Sequence, residues 1–306
     1  MTVDAQLESA WPVHGSVLVL PDADDSSRAV VYAAAGRSGY LDGGIVLVRL
    51  DAASGRELSR TLVDSRDPQT GHQPHPLPRP APGFSMPGAL NDVLSAQQGS
   101  VFMRHLRFSR EGEPQAKTVT HLHSPAGFLD DSWWHRTYWM VGTEMHGGWA
   151  GWPTMGAQVP SGRLLVVDGH TVYGFGRDRY HRDGSHVGLG GANYRLFARS
   201  LAGDPRRKAE KEVFLWQRRV EPLVRGMVLA GDTLFLAGPA DALTAKDPIA
   251  AWEGRAGGLL WAVSAQDGKQ RAAYPLDAPP VFDGLIATPG RLLFSATDGR
   301  VVCLAE

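Results

Sequence analysis

The chain has 306 residues, 43% hydrophobic and 21% charged, enough apolar material for a sizeable core and a composition that excludes a disordered or collagen-like chain. Thirty-one Lys and Arg against 32 Asp and Glu leave a formal net charge of −1, which offers no electrostatic footprint for nucleic acid or an anionic membrane. The single cysteine, Cys303, excludes an internal disulfide and a Cys-based zinc cluster, no apolar run reaches the roughly 18 residues of a membrane helix, and Met1 to Ala10 lacks the basic and apolar regions of a signal peptide.

From the N-terminus onward, short β-rich runs bounded by turns take the place of helical periodicity, with 36 Gly and 21 Pro spread along the chain. One unit recurs: an apolar strand, a tight turn, then a strand whose core reads aliphatic-aromatic-x-x-small. SVLVL (16–20) precedes VVYAAAG around Tyr32, and DVLSA (92–96) precedes SVFMRH around Phe102. A less defined piece near Phe128 precedes TYWMVG around Tyr138, and RLLVV (163–167) precedes TVYGFG around Tyr173. MVLAG (227–231) precedes TLFLAG around Phe235, and LIATP (285–289) precedes LLFSAT around Phe294. The intervening QQG, DGH, AGD and TPG supply the Gly and Asp of tight hairpins.

A third and fourth strand follow in several units. GGIVLVRLDAASGREL (43–58) aligns with GGLLWAVSAQDGKQRA (257–272), YRLFARSLAG followed by KEVFLWQ is a further copy, and HLRFSREGEPQ a looser one. Six copies over 306 residues leave about 51 each, the size of a four-stranded blade, so the predicted fold is an all-β, six-bladed β-propeller forming a single domain over 1–306. Insertions at 64–86, 143–162, 177–192 and 240–256 are expected on loops. The last unit, ending DGRVVCLAE, shows three strands, and residues 5 to 11 resemble a passage from a fourth strand into the next blade. The N-terminal strand is therefore expected to close the ring and remove an exposed edge. The competing readings are a longer propeller whose earlier blades lie outside this chain, and a sandwich or two smaller β domains.

GGIVLVRLDAASGREL, GGLLWAVSAQDGKQ and LLFSATDGRVVCLAE resemble the repeats of quinoprotein-alcohol-dehydrogenase-like propellers, a group with PQQ-like and BamB-like members. The middle, with GFLDDSWWHRTYW and RYHRDGSHVG, is similar to segments of large uncharacterised bacterial members. The resemblance implies a fold far more than a reaction, and it implies export for longer members. The quinone-enzyme repeat carries a Trp four residues after the turn Gly; Ser59 follows Gly55 and Ala272 follows Gly268 at that offset, which disfavours PQQ as cofactor.

In a propeller the segment entering each innermost strand faces the central channel. Those segments carry His14 (PVHG), Asn91 and Asp92 (ALND), Asp130 and Asp131 (GFLDD), Arg163 (PSGR), Arg225 (LVRG) and Asp283 (VFDG). Converging carboxylates and imidazole suit a divalent cation, calcium, zinc or manganese, for which His14, Asp92, Asp130 and Asp283 are the candidate ligands. Solvated channel-mouth residues paired with Arg163 and Arg225 are the plainer alternative. His135, five residues from Asp130, and His105 and Asp131 are the candidate proton-transfer groups. Arg104 and Arg225 would meet an anion, Trp133 and Trp134 would stack on a flat substrate, and His186 lies in the polar insertion RDRYHRDGSHVGLGGANYR. His121 and His123 share one face of a strand, a spacing that can chelate zinc, but the pair ends what reads as an outer strand, so solvent-facing histidines are the plainer alternative. Neither Gly-x-Ser-x-Gly nor His-Glu-x-x-His occurs. The expected function is a metal-assisted hydrolase of an ester, lactone or phosphoester at the channel mouth. The alternative is a non-catalytic, BamB-like scaffold that binds a small molecule or a protein partner; a quinone-dependent dehydrogenase ranks third.

Overall fold

Alternating apolar residues build a series of short antiparallel sheets in the computed structural model, which describes residues 2–3, 6–7, 9–13, 15, 17–72, 93–124, 138–143, 159–177, 194–201, 214–240 and 246–305. The chain divides into two units, Met1–Phe128 with Met140–Gly151, and Leu129–Trp139 with Trp152–Glu306.

In the first unit, β1 (Thr2–Val3) and β2 (Gln6–Leu7) pair with each other. β3 (Leu18–Pro21), β4 (Ala29–Ala35), β5 (Ile45–Asp51) and β6 (Glu57–Val63) form a four-stranded sheet in chain order. β7 (Ser95–Gln97), β8 (Ser100–Met103), β9 (Leu106–Phe108) and β10 (Pro114–Gln115) form a second. The side-chain period of two turns Val30, Tyr32 and Ala34 of β4 inward, where they meet Ile45 and Leu47 of β5 and Val101, Met103 and Phe108 of the second sheet. Burying each of the larger aliphatic and aromatic side chains here is worth roughly 1.5–3 kcal/mol relative to exposure. β11 (His121–His123) then pairs with β12 (Trp139–Gly142), His121 opposite Gly142.

The second unit begins with β13 (Ser161–Gly162) and continues with β14 (Leu164–Asp168), β15 (Thr171–Arg177), β16 (Tyr194–Ser200) and β17 (Phe214–Arg218), a third four-stranded sheet. β18 (Gly226–Ala230), β19 (Thr233–Gly238), β20 (Gly258–Ser264) and β21 (Gln270–Leu276) form a fourth. β22 (Pro280–Thr288), β23 (Arg291–Ala296) and β24 (Val301–Ala305) form a three-stranded sheet. A one-turn helix, α1 (Pro248–Trp252), sits in the insertion between β19 and β20, capped by the Asp247 carboxylate, which accepts from the N–H groups of Ile249 and Ala250. The fold is thus all-β with consecutive three- and four-stranded antiparallel sheets, and no helix among the described residues is long and apolar enough to cross a membrane.

Two expectations change. The strand that pairs with β12 is β11, and its His121 and His123 are fully buried rather than facing solvent; the piece near Phe128 lies outside the described residues. The strand expected to complete the last sheet pairs elsewhere: β2 bonds to β1, and among the described residues β24 has β23 as its sole strand neighbour.

The aligned repeats fold alike, for a steric reason. Gly44 precedes β5 at φ 97 and Gly257 precedes β20 at φ 82. A Cβ would stand 2.4 Å from the Val63 carbonyl oxygen in one and 2.7 Å from that of Leu276 in the other, so only glycine lets the fourth strand's end lie this close. Three of the four-stranded sheets also carry a bulge between their third and fourth strands, which places Ser59 opposite Arg49, Trp216 opposite Ala198 and Ala272 opposite Ala262. Trp216 therefore stands where Ser59 and Ala272 stand in their own sheets. Its indole N–H donates to Ala265 O at 2.9 Å, and its ring covers Gly268 in the next sheet's turn. Ser59 docks the same way on a smaller scale, its hydroxyl donating to Glu111 O at 3.0 Å beside the turn glycine Gly112.

Candidate functional site

Four of the candidate residues fall among the described ones: Arg104 and His105 in the first unit, Arg225 and Asp283 in the second. His14, Asp92, Asp130, Asp131, Trp133, Trp134, His135 and His186 lie outside the described residues.

In the second unit, β14, β18 and β22 are the first strands of three consecutive sheets and lie side by side. The residues entering β14 and β18 are fixed equivalently, Arg163 N–H donating to Phe175 O at 2.8 Å and Arg225 N–H to Ala237 O at 2.9 Å. β22 departs from regularity, because a bulge interrupts its pairing with β23 between Pro280 and Leu285. Asp283 sits in that bulge at φ 57, in the left-handed region that aspartate tolerates better than most residues. Its N–H leaves the ladder and donates to Arg225 O at 2.7 Å, tying the third sheet's bulge to the second sheet's first strand.

The side chains at this end are cations set on aromatic faces. The Arg163 guanidinium is buried, with its carbon 5.5 Å from the Tyr138 ring centroid and 5.2 Å from that of Phe282. The buried Arg225 donates to Trp252 O at 2.6 Å and lies 5.5 Å from the Trp252 ring, and burial holds its pKa below the usual arginine value. Asp283 is exposed to solvent yet flanked by enough protein for desolvation to push its carboxyl up to about 6. The sequence register thus brings Arg163, Arg225 and Asp283 to one end of the second unit; the flanking aromatics Tyr138, Phe282 and Trp252 were not anticipated there.

The first unit holds a different constellation. Arg104, buried at φ 58, and the partly buried His105 form the two-residue turn between β8 and β9. Nε2 of His121 lies 2.6 Å from Arg104 O and Nδ1 lies 2.7 Å from Val119 O, while its ring stacks on Phe102 at 3.9 Å. The His123 ring is 4.8 Å from that of His121. β7 is tied to the same strand, Ser95 Oγ donating to Leu122 O at 2.6 Å and Gln97 Nε2 to Thr120 O at 3.0 Å. Nδ1 of His105 and Nε2 of His123 are buried without a hydrogen-bond partner. Burial, reinforced by the neighbouring Arg104 and His121, lowers the His105 pKa to about 4. Burial likewise lowers His121, against its two carbonyl contacts, and lowers His123 well below its ordinary value. Polar character made the histidines read as solvent-facing, whereas inside the single N–H of a neutral His121 donates to a backbone carbonyl. Among the described residues no three His, Cys, Asp or Glu side chains are gathered to hold a metal ion.

No family model matches the chain, and no curated protein matches it. Among solved structures it is similar to the computationally designed Ika8 protein, at 10% identity over 96% of this chain and 71% of that one, with a TM-score of 0.46. It is similar to BamB from Moraxella catarrhalis, at 11% identity over 95% of this chain and 81% of that one, TM-score 0.41. A chain of the Mitotic Checkpoint Complex matches at 10% identity over 99% of this chain and 77% of that one, TM-score 0.41.

Proposed function

We propose that the sheets are blades of a six-bladed, quinoprotein-like β-propeller and that the chain is a non-catalytic binding scaffold. Its ligand or protein partner meets the end where the first strands enter. The observation that supports this reading is the side-by-side packing of β14, β18 and β22, which brings Arg163, Arg225 and Asp283 to one end with Phe282 and Trp252 beside them. Buried arginines braced on aromatic rings give that end a preorganised, cationic and aromatic character suited to recognition.

A photo-cross-linker placed at position 283 is expected to give a specific adduct in cell extract, and one at position 290, in the turn at the other end of β22, is not. Equal labelling from both positions, or from neither, overturns the assignment.

A metal-assisted hydrolase is the second reading, and the exposed Asp283 with its raised pKa is what favours it. In that reading calcium, zinc or manganese is held by His14, Asp92, Asp130 and Asp283, with His135, His105 and Asp131 moving protons. Elemental analysis of the dialysed protein decides between the two. One ion per chain, lost on chelation together with hydrolysis of an ester, lactone or phosphoester, replaces the scaffold reading; none after incubation with the three metals retires the hydrolase.

A further inference from the structure

The sheets β18–β21 and β22–β24 meet without the docking side chain found elsewhere. Ala272 occupies the position that Trp216 and Ser59 fill in their sheets, so a methyl group stands where those side chains reach toward the next sheet. A groove of about 750 Å³ opens between the two sheets, lined by Phe235, Leu260, Leu276, Leu292 and Leu304. Tyr274 lines it too, with 55% of its surface exposed.

Three features define what this groove accepts. It runs beside β24, whose outer edge carries backbone donors and acceptors with no strand neighbour among the described residues. Such an edge templates another strand, and pairing there uses main-chain hydrogen bonds that an acyl chain or a flat aromatic ligand does not offer. The face of the last sheet turned to the groove presents Leu292 and Phe294 on β23 and Val302 and Leu304 on β24, so an added strand would set every second side chain against apolar surface. Arg291 lines the same groove; its side chain is exposed, and no hydrogen bond or ion pair engages it among the described residues.

We propose that the groove and the β24 edge bind an extended strand of a partner protein, apolar at alternate residues and carrying an Asp or Glu opposite Arg291. The site lies in a different part of the second unit from the Asp283 end and is read out separately from it, so either assignment can fail alone.

The probe is the acetylated, amidated hexapeptide Val-Thr-Val-Glu-Val-Thr, fluorescently labelled and titrated into the full chain, with amide exchange followed in Val301–Ala305. Saturable binding is expected, with exchange of the β24 amides that do not bond β23 slowed at least about tenfold. N-methylation of alternate peptide bonds should weaken binding by about tenfold or more, because it removes edge hydrogen bonds. Replacing the peptide's Glu by Lys should weaken binding up to about fivefold, the range of an exposed ion pair, and Arg291→Glu should reverse that preference. Arg291 is exposed, so this variant is expected to keep the fold, which circular dichroism checks. The proposal is overturned if neither peptide binds, if the N-methylated peptide binds equally well, if Arg291→Glu leaves the preference unchanged, or if those β24 amides are already protected in the free chain because another strand covers the edge.

Discussion

Acidification should destabilise the first unit through its buried histidines, and His105 gives the effect a size. That imidazole carries its ordinary pKa of 6.5 in the unfolded chain and about 4 in the folded one, lowered first by burial and then by Arg104 and His121. The unfolded state therefore binds more protons between those values. The stability that rests on a neutral His105 is fully present above pH 6.5 and is lost as pH falls through about 4. At about 1.36 kcal/mol per pH unit, the difference is worth roughly 3 kcal/mol. That is a large part of the 5 to 15 kcal/mol, roughly, of a typical domain. His121 and His123 shift in the same direction and steepen the loss, and the fixed charge of Arg104 opposes a proton on His105 and on His123. Urea unfolding followed by tryptophan fluorescence at pH 7.5, 6.5, 5.5 and 4.5 measures the slope. His105→Gln, which cannot titrate, should flatten the profile by roughly the same 3 kcal/mol. A wild-type stability that stays level down to pH 4.5, or a His105→Gln profile parallel to it, would refute the reasoning.

Trp216→Ala should cost roughly 3–5 kcal/mol, because it empties the cover over Gly268 and strands the Ala265 carbonyl; Ser59→Ala, which loses one hydrogen bond to Glu111 O, should cost about 1 kcal/mol by the same urea assay. Gly238→Ala puts a Cβ 2.0 Å from Leu223 O, a backbone atom, and should cost about 3 kcal/mol or more or prevent folding, seen as loss of soluble protein. Asp283 has its pKa raised from 3.8 to about 6 by desolvation, so its charged form opposes folding fully above about pH 6 and not at all below 3.8. Asp283→Asn should accordingly unfold at higher urea than wild type at pH 7.5, with the gain shrinking at pH 5; a gain that does not change with pH contradicts the cause assigned here.

The repeated unit was legible because strand formation is local. Val30, Tyr32 and Ala34 alternate in sequence as they do in burial, and the matched glycines at 44 and 257 announce a backbone that no other residue can follow. The polar register of Arg163, Arg225 and Asp283 was legible for the same reason, since Arg163 and Arg225 lie just before the start of a strand and Asp283 lies in the first half of β22, and turns define the limits of all three strands. His121 and His123 were misplaced because the polar–apolar–polar alternation of this three-residue strand points its histidines outward, whereas the structure buries them, and the carbonyl that accommodates His121 belongs to Arg104, 17 residues away. Trp216 was not recognised as the counterpart of Ser59 and Ala272 because its unit has a longer insertion between the third and fourth strands; only the bulge register aligns the three.

The sequence by itself determined an all-β chain of repeated antiparallel sheets, because hydrophobic period and turn chemistry act over a few residues. Tertiary structure decided which polar side chains are buried, how the Asp283 bulge reaches the Arg225 carbonyl, and that a groove opens between the last two sheets. Each of those depends on atoms from different sheets meeting at van der Waals distance, and such meetings are set by packing between sheets rather than by neighbours along the chain.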